Sequence, residues 1–518
     1  MTAITVLGGG ISGLSTAWYL AQKVPTNVSI KVIEASSRVG GWIRTDRRHT
    51  PIGEIIAEAG PRTLRTGKSP DALSVLELVD DLDLRSHVIL SDAQSAAARN
   101  RYIYYDGTLN RMPSSLSSLA SGLPAAATCL VGGVWRDFTR KSNTPVENDE
   151  SVHEFIGRRF GQKVDDNLAS AVMHGIYAAD TKDLSARALL YPFWLADRMG
   201  KRGVISGLRK VARVSRARHA GRSVESVDGE RRARNPEFWT SVDGASMYSF
   251  RGGMQTLPDE MAKKLRERPN VEISTGSKVV AARVGATGKA QIEVDGGRVI
   301  ESDHVVNTLP LHSMQGVFGS DQTPMLDHTP YSSVVVVNLT YQGKGRTPVD
   351  GFGYLVPRAS QHESRALGVV FDSCALPEQD TCDVTRVTVM LGGPRFKELF
   401  GSKDVEAEAK LLALDTVQRE LGIRGDALDV HVTVGTQCIP TYTTGYVDRL
   451  QQMHEWTKRQ LNGRMSLVGA AYGGPAVPQC VNHARTHVCD HLNLDTLSQS
   501  PQCVSGLEEI IKAFDLPA

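Results

Sequence analysis

A glycine-rich turn between a buried strand and a helix, at the start of the chain, most constrains how this sequence folds. The apolar run Ile4–Leu7 leads directly into Gly8-Gly9-Gly10-Ile11-Ser12-Gly13, after which apolar residues recur at helical spacing. Gly8 permits a tight turn, Gly10 lets a pyrophosphate approach the backbone, and Gly13 lets helix and strand pack closely. Because the N-terminus of the helix offers free N–H groups and a positive dipole end, the pattern predicts a dinucleotide site.

A second strand and a second glycine pair identify the dinucleotide. Val28–Ile33 predicts the next strand, and Glu34 at its end is suited to bind both ribose hydroxyls. The segment Arg38-Val39-Gly40-Gly41 resembles the RxGG signature of the flavoprotein amine oxidase superfamily, in which backbone and arginine approach the FAD pyrophosphate. NAD-dependent dehydrogenases lack this signature. A turn that only reverses the chain direction is the weaker interpretation, because strand, helix and acid all have the required spacing.

Length, charge and cysteine content limit the class of protein. With 518 residues, 41% of them hydrophobic, the chain has room for about three globular domains. The formal net charge of +2 gives no overall field that favours nucleic acid. Seven cysteines without a C-x-x-C pair favour reduced thiols over disulfides or structural zinc, so we predict no metal site.

The order of helical and strand-rich stretches predicts a three-part fold of α/β and α+β class. A discontinuous Rossmann-like FAD-binding domain is expected over residues 1–100, 240–310 and 435–518. Residues 110–215 lose strand signals and predict an all-helical insertion, whereas residues 311–434 contain many short strands and predict a mixed-sheet substrate-binding domain.

The end of the chain repeats the order strand, small turn and helix. Ser466–Ala471 is a strand that ends in small residues, and Val477-Pro478 opens a helix, which predicts a second helix N-terminus at the flavin. The predicted cofactor contacts are Gly8, Gly10, Ile11, Ser12, Gly13, Glu34, Ala35, Arg38, Gly40, Gly41, Trp42, Gly60, Pro61, Arg62, Val279, Gly469, Ala470, Val477 and Pro478.

Four features concern targeting and membranes. The first strand begins at the third residue, which leaves no room for a cleavable N-terminal signal, and no run of about 18 apolar residues predicts a spanning helix. The apolar stretch Leu116–Trp135 suits a core helix or a helix lying in a membrane interface. The basic segment, residues 201–234, has the composition of a solvated loop, but beside an apolar helical region it also suits an anionic membrane surface. It lacks the interleaved aromatics that stack on bases, so we expect no nucleic acid partner.

The chain carries further motifs in Gly351–Pro357 and Val387–Gly393. With the two glycine motifs, and with other segments along nearly the whole chain, they resemble one family, the oxygen-dependent protoporphyrinogen oxidases of the eukaryotic mitochondrial type. The two glycine motifs are shared across the flavoprotein amine oxidase superfamily. Gly351–Pro357 and Val387–Gly393, in the predicted substrate domain, carry the specific resemblance. The basic segment and the loop around residues 359–366 depart from the family pattern. The other matching segments are Gly60–Arg62, Asn100–Tyr104 and Phe250–Met254.

The resemblance implies a reaction and a setting. The reaction is oxidation of protoporphyrinogen IX to protoporphyrin IX in haem biosynthesis, with noncovalent FAD, O2 as electron acceptor and H2O2 as by-product. Hydride loss from a methylene bridge gives a cation delocalised over two pyrroles, so no strong general base is required. The implied setting is the mitochondrial inner membrane, peripherally on the intermembrane-space side, after import by an internal signal. A homodimer and hand-over of product to ferrochelatase are further expectations.

The same resemblance implies roles for individual side chains. Arg101, Gly175 and Arg62 are expected at the reacting centre. Arg101 pairs with a substrate propionate, for which a bidentate guanidinium is well suited, and Gly175 presents its backbone carbonyl to the reacting bridge. Arg62 lies near flavin and substrate or forms a structural salt bridge, and His174 makes a structural hydrogen bond. The apolar walls around the tetrapyrrole are Phe352, Leu355, Val370 and Met390.

Three alternatives stay open at this stage. A flavin amine oxidase shares the cofactor motifs, but the segment Tyr442–Tyr446 is not followed by the cysteine through which monoamine types attach FAD. A coproporphyrinogen III oxidase would need more cations, because its substrate has four propionates. A membrane-bound flavoprotein scaffold without turnover is the non-enzyme alternative.

Overall fold

A computed structural model describes residues 2–113, 123–140, 149–200, 203–219, 229, 231–318, 323–494, 496–497 and 500–515. Of residues 213–219 only the backbone is described. Two predicted segments extend beyond these ranges. Residues 116–122 of the apolar stretch, and residues 201–202, 220–228 and 230 of the basic segment, lie outside the described residues.

The strands follow the β-branched and aromatic runs of the sequence. In chain order they are β1 Ala3–Leu7, β2 Ser29–Ile33, β3 Thr45–Thr50, β4 Gly53–Glu58, β5 Leu64–Arg65, β6 Val88–Asp92, β7 Tyr102–Tyr105, β8 Thr108–Arg111, β9 Ala245–Phe250, β10 Val271–Ser274, β11 Val279–Val284, β12 Ala290–Val294, β13 Val299–Ser302, β14 His304–Asn307, β15 Tyr331–Gln342, β16 Gly353–Leu355, β17 Ala366–Val370, β18 Val384–Gly392, β19 Asp429–Pro440 and β20 Met465–Leu467.

The helices alternate with these strands at the two ends of the chain and cluster between residues 125 and 245. In chain order they are α1 Ile11–Lys23, α2 Pro70–Asp81, α3 Ala96–Arg99, α4 Cys129–Thr139, α5 Val152–Arg159, α6 Gln162–Val164, α7 Ser170–Tyr177, α8 Ala186–Leu189, α9 Tyr191–Met199, α10 Val204–His219, α11 Pro236–Asp243, α12 Thr256–Arg266, α13 Asp372–Ala375, α14 Phe396–Phe400, α15 Val405–Leu421, α16 Tyr446–Arg459, α17 Ala470–Gly473, α18 Val477–Thr486 and α19 Glu508–Ala513.

A five-stranded parallel sheet forms the cofactor part, in the order β10-β2-β1-β14-β20. Ile4 and Val6 of β1 pack with α1, α12 and α18 on one face. Leu7 and Val305 pack with the small antiparallel sheet β11-β12-β13 and with α16 on the other. Both faces are therefore buried, as parallel sheets require. The strands come from all three stretches that the sequence predicts for this domain.

A seven-stranded sheet forms the second part, in the order β19-β15-β18-β17-β16-β7-β8. All neighbours are antiparallel except β16 and β7. The predicted boundary at residue 434 falls inside β19, because β19 stays paired with β15 as far as Pro440. Strands β7 and β8 also join this sheet, where Tyr102 and Tyr104 pack in its core with Tyr354.

A helical layer over residues 152–211 has its own core, which includes Phe155, Trp194 and Leu195. Helix α10 occupies the first half of the basic segment, where the composition had favoured a loop. Lysine, arginine and alanine are good helix formers, and Val204 and Leu208, one turn apart, pack on this core. Within the described ranges, no helix has both the length and the apolar composition needed to cross a bilayer.

Candidate functional site

The glycine turn has the geometry that its spacing predicts. Gly8 has φ of +101°, and a Cβ atom at Gly13 would overlap the carbonyl oxygen of Gly8. Gly10 precedes helix α1, and no side chain caps the helix there. The first turn of α1 also carries no acidic residue. Its N–H groups therefore suit a phosphate, and the turn fits the pyrophosphate of a dinucleotide.

Glu34 lies beside this turn, at the carboxyl end of β2. Its Oε2 atom accepts a hydrogen bond from the N–H of Gly9 at 2.6 Å, and its Oε1 atom accepts from the N–H of Ser36 at 2.8 Å. The N–H of Ser277, two residues before Val279, donates to the carbonyl oxygen of Glu34 at 2.9 Å. The structure thus brings the predicted ribose-binding acid and Val279 to the same edge of the sheet.

The two glycine motifs contact each other. The N–H of Gly40 donates to the carbonyl oxygen of Gly9 at 2.9 Å, and a Cβ atom at Gly41 would lie 3.2 Å from Cα of Gly10. Gly41 has φ of +58°, a conformation that favours glycine. The two motifs therefore form one cradle of backbone atoms. A side chain larger than that of glycine at these positions would narrow the cradle, so the glycines suit close approach of a pyrophosphate.

Arg38 is hydrogen-bonded within its own loop, and its predicted contact with the FAD pyrophosphate stays a prediction. Its guanidinium donates hydrogen bonds within its own loop, and Ala35 and Trp42 lie exposed beside it. These hydrogen bonds hold the loop from Val39 to Ile43 in shape, so Arg38 stabilises the loop that forms one side of the cradle. The accepting carbonyl oxygens are those of Val39 at 3.0 Å, Ile43 at 3.1 Å and Gly41 at 2.6 Å.

The late strand returns to the first helix. A Cβ atom at Gly469, which has φ of +146°, would lie 3.7 Å from Oγ of Ser12. The N–H of Gly469 donates to Nδ1 of His483 at 3.3 Å, and Nε2 of His483 donates to the carbonyl oxygen of Gly506 at 2.8 Å. Burial lowers the pKa of His483 to about 4, which keeps the ring in the neutral form that these bonds need. Val477 and Pro478 form the first turn of α18, as predicted.

Two buried tyrosines bind the turn that follows Gly469. The sequence motifs did not indicate this role. The rings of Tyr442 and Tyr446 stack with centroids 4.3 Å apart. The hydroxyl of Tyr442 donates to the carbonyl oxygen of Ala470. The hydroxyl of Tyr446 lies 2.8 Å from the carbonyl oxygens of both Ala471 and Tyr472 and donates to one at a time. No periodic pattern could have indicated them, because Tyr442 lies before the helix that begins at Tyr446.

Three of the four predicted apolar wall residues lie on one face of the seven-stranded sheet. Leu355, Gly368 and Met390 form a direct row across β16, β17 and β18, and Val370 shares their face two residues further along β17. All three wall side chains are half-buried although their strand neighbours are buried. Gly368, in the middle of the row, has no side chain, and Cδ2 of Leu355 leans over it, 3.1 Å from where a Cβ atom would lie. We call the surface formed by Leu355, Gly368, Val370 and Met390 the trough.

The trough is turned towards the cofactor part. Thr388 lies on the same face of the sheet as Met390 and donates to Oδ2 of Asp372 at 2.7 Å. Oδ1 of Asp372 pairs with the guanidinium of Arg62 at 3.0 Å, and both side chains are buried.

Of the two roles considered for Arg62, the geometry favours the structural salt bridge. Gly60 lies before it, where a Cβ atom would be 2.6 Å from the carbonyl oxygen of Trp42. Pro61 lies between Gly60 and Arg62 in the sequence.

Helix α7 covers the trough at Leu355. A Cβ atom at Gly175 would lie 2.6 Å from Cδ2 of Leu355. His174 is buried, and its Nδ1 donates to the carbonyl oxygen of Val356 at 3.0 Å, which confirms the predicted structural hydrogen bond. Burial also lowers the pKa of His174, so the ring is neutral. Arg358, in an ion pair with Asp166 at 3.1 Å, ties the same helical layer to the end of β16.

Arg101 and Phe352 form a separate group. The guanidinium carbon of Arg101 lies 5.8 Å from the centre of the Phe352 ring, a cation–π distance. Phe352 packs against Ile89 and Leu376 rather than in the row of Leu355. The structure therefore brings three of the four predicted wall residues together and places the fourth beside the predicted propionate-binding arginine.

The fold and the glycine cradle define the class of protein. A family model described as flavin containing amine oxidoreductase matches residues 11–491, so the class is a flavin-containing oxidoreductase with FAD as cofactor. Protoporphyrinogen oxidase of Schizosaccharomyces pombe (strain 972 / ATCC 24843) is 32% identical over 492 residues, covering 92% of this chain and 96% of the relative. That of Homo sapiens is 32% identical over 489 residues, covering 93% and 96%. The chain belongs to the protoporphyrinogen oxidase family of flavin-containing amine oxidoreductases.

Solved structures confirm the predicted fold class. An Exiguobacterium sp. 255-15 protein has a TM-score of 0.72 at 19% identity, over 94% of this chain and 98% of that one. Reduced UDP-galactopyranose mutase has a TM-score of 0.64 at 14% identity, over 98% and 99%. At these identities the likeness concerns the fold alone. The coproporphyrinogen III oxidase of Bacillus subtilis (strain 168), 24% identical over 94% of this chain, represents one of the alternatives left open by the sequence.

Proposed function

We propose that this chain oxidises protoporphyrinogen IX to protoporphyrin IX in haem biosynthesis, with O2 as electron acceptor and H2O2 as by-product. The observation that carries the proposal is the trough beside Gly175. Leu355 and Met390 lie in one row, separated by Gly368, on the sheet face turned towards the cofactor part. A large flat apolar ligand fits such a surface, and the adaptable thioether of Met390 suits a macrocycle.

FAD, when bound, supplies the acceptor for a hydride. The chain's contribution is to hold the substrate methylene bridge in place and to exclude water from it. Loss of hydride leaves a substrate cation whose pyrrole N–H groups are acidic. His174 is the titratable group closest in sequence to Gly175, but its bond to Val356 and its lowered pKa make it a poor acceptor of that proton. This supports a mechanism without a strong general base.

We also propose that the helical insertion rests peripherally on an anionic membrane surface, at the intermembrane-space side of the mitochondrial inner membrane. Helix α4 exposes Val131 (65% exposed) and Trp135 (72%) on one face, with Val134 and Phe138 beside them. An apolar helix face rich in aromatic residues suits a membrane interface. A homodimer and direct hand-over of the product to ferrochelatase are further parts of this proposal.

The apolar helix is joined to the basic one. The carboxylate of Asp137, on α4, accepts hydrogen bonds from the N–H groups of Val204 and Ile205 at 3.0 Å each. Arg209 and Lys210 of α10 are exposed. They supply positive charge near an apolar surface, which supports an anionic lipid partner.

Part of the basic segment is neutralised within the chain. Arg232 pairs with Asp243 at 2.7 Å, and Arg231 pairs with Asp81. The positive charge proposed to face lipid is therefore that of α10 rather than that of residues 231–234.

An aerobic assay tests the proposed reaction. Purified holoenzyme is mixed with protoporphyrinogen IX, and protoporphyrin fluorescence and H2O2 are recorded together. The proposal predicts three H2O2 molecules for each protoporphyrin, because six electrons leave the substrate in three two-electron steps. Formation of porphyrin at the rate of the enzyme-free control would contradict it.

Vesicle sedimentation tests the membrane proposal. Wild type and Leu411→Glu, a control at an exposed apolar residue of α15 (64% exposed), should sediment with cardiolipin-containing vesicles, whereas Trp135→Glu should stay in the supernatant. The proposal fails if the wild type also stays wholly in the supernatant.

A further inference from the structure

We propose that Arg65 is a second carboxylate-binding residue of the substrate site and acts together with Arg101. The proposal rests on the function proposed above, because protoporphyrinogen carries two propionates. Three observations support it: the strand register, which sets Arg65 on the sheet face that carries Ile89, the effect of the Arg65 charge on Arg101, and the lack of a counter-ion for either arginine in the described part of the chain.

The register places Arg65 on the face of its sheet that looks towards Phe352. In the sheet β5-β9-β6, Arg65 pairs directly with Met247, and Met247 pairs directly with Ser91. Directly paired residues of antiparallel strands project to the same face, and so does Ile89, two residues before Ser91. Ile89 contacts Phe352 in a small apolar cluster. Arg65 therefore lies on the face that carries this contact.

Arg101 lies beside Phe352, which packs against the cluster of Ile89. Its guanidinium carbon lies 5.8 Å from the ring centre of Phe352. Burial, followed by the positive charge of Arg65, lowers the pKa of Arg101, which agrees with two guanidinium groups facing one region. Among the residues that the structure describes, neither arginine forms an ion pair with a carboxylate. Like charges near each other without a counter-ion favour binding of an anion.

Arg62 differs from Arg65 in that it has a carboxylate partner within the protein. It is three residues earlier in the same segment and is buried against Asp372, with the two groups 3.0 Å apart. Arg65 is exposed at the end of β5. Arg62 thus stabilises the protein interior, whereas the guanidinium of Arg65 is accessible to a ligand.

The pair suits a ligand with two neighbouring carboxylates. Each guanidinium can bind one carboxylate through two parallel hydrogen bonds, and the second contact fixes the orientation of the ring. A cationic amine would be repelled by the same pair. The proposal therefore assigns to Arg65 and Arg101 the choice between a dicarboxylate macrocycle and an amine.

Steady-state kinetics with Arg65→Ala and Arg65→Gln tests the proposal. For protoporphyrinogen IX, we expect KM to rise about 10- to 100-fold with a much smaller change in kcat. Arg99→Ala removes an equally exposed positive charge two residues from Arg101 and should keep the wild-type KM. With the dimethyl ester of the substrate, wild type and Arg65→Gln should have similar KM values. FAD content and melting temperature, equal to those of the wild type, verify folding.

Binding of protoporphyrin IX, followed by its fluorescence, gives a readout that does not require turnover. The proposal predicts weaker binding to both Arg65 variants, by a similar factor. Wild-type affinity and wild-type KM in these variants would overturn the role of Arg65 and leave the proposed function standing. Absence of turnover in the wild type would overturn the proposed function, and the role of Arg65 would then be decided by this binding measurement.

Discussion

A Cβ atom placed on Gly175 would lie 2.6 Å from Cδ2 of Leu355, so any larger residue on helix α7 at this point requires the Leu355 side chain to move. The contact joins the helical insertion to the trough of the seven-stranded sheet. His174, one residue earlier, fixes it through the carbonyl of Val356. The position of the Leu355 side chain therefore depends on this one residue of α7.

Gly175→Ala should push Leu355 into the trough. We expect kcat/KM for the porphyrinogen to fall about tenfold or more, with FAD content unchanged, because the overlap is with a side chain at the trough. Leu355→Ala in the same chain should restore part of the activity. Gly132→Ala is the control, since a Cβ atom at this helical glycine of α4 has no atom within 4 Å. Equal losses in Gly175→Ala and Gly132→Ala would contradict the contact.

Gly10→Ala and Gly13→Ala should separate cofactor binding from folding. At Gly10 the nearest atom to a Cβ would be Cα of Gly41 at 3.8 Å, so the apoprotein should keep its melting temperature while the Kd for FAD rises about tenfold or more. At Gly13 the methyl group would overlap the carbonyl oxygen of Gly8, so stability should fall as well. Calorimetry of apoprotein and FAD titration measure the two effects. Retained FAD affinity in Gly10→Ala would be inconsistent with a pyrophosphate at this turn.

Tyr446→Phe should loosen the turn that follows Gly469. The variant loses the hydroxyl that serves Ala471 and Tyr472, which costs about 1–2 kcal/mol and should weaken FAD binding about tenfold. Tyr248→Phe is a matched control, because the buried hydroxyl of Tyr248 has no hydrogen-bond partner among the described residues. We would reject the role of Tyr446 if both variants bound FAD equally well.

Buried histidines should make the protein lose stability in acid. Burial lowers the pKa of His483 to about 4 and that of His304 to about 3, and burial with the nearby His304 lowers the pKa of His487. In the unfolded chain these groups have pKa values near 6.5, so below that pH the unfolded state binds protons that the folded state does not. The free energy of unfolding should therefore fall between about pH 6.5 and pH 4, by about 1.4 kcal/mol per pH unit for each histidine.

Chemical denaturation at several pH values measures this slope. His487→Gln keeps a donor for Oγ of Ser466, which lies 2.7 Å from Nε2 of His487, and should have a shallower slope. His49→Gln changes an exposed histidine and should keep the wild-type slope. Equal slopes in all three proteins would show that the buried histidines do not determine the acid sensitivity.

The cofactor site could be predicted from the sequence because its parts are local. The turn from Gly8 to Gly13 and the acid Glu34 each follow directly from a strand, and the strand fixes their geometry. The sequence also indicates that Arg38 belongs to the cofactor region, but the hydrogen bonds of its side chain depend on the directions of the loop carbonyls. No residue pattern encodes those directions.

The substrate site could be predicted only through the family resemblance. Leu355 and Met390 lie in one row because both pair with Gly368, and no local feature of the sequence indicates this strand register. The position of Arg65 depends in the same way on pairing of β5 with β9. The family resemblance grouped Phe352 with the other three wall residues, but it lies before β16 and packs in another cluster.

Anaerobic mixing of the oxidised holoenzyme with candidate substrates tests the central claim most directly. Absorbance of the flavin is followed after addition of protoporphyrinogen IX, coproporphyrinogen III or a primary amine, each at the same concentration. The account predicts rapid bleaching with protoporphyrinogen IX, slower bleaching with coproporphyrinogen III and none with the amine. Bleaching by the amine alone would contradict it.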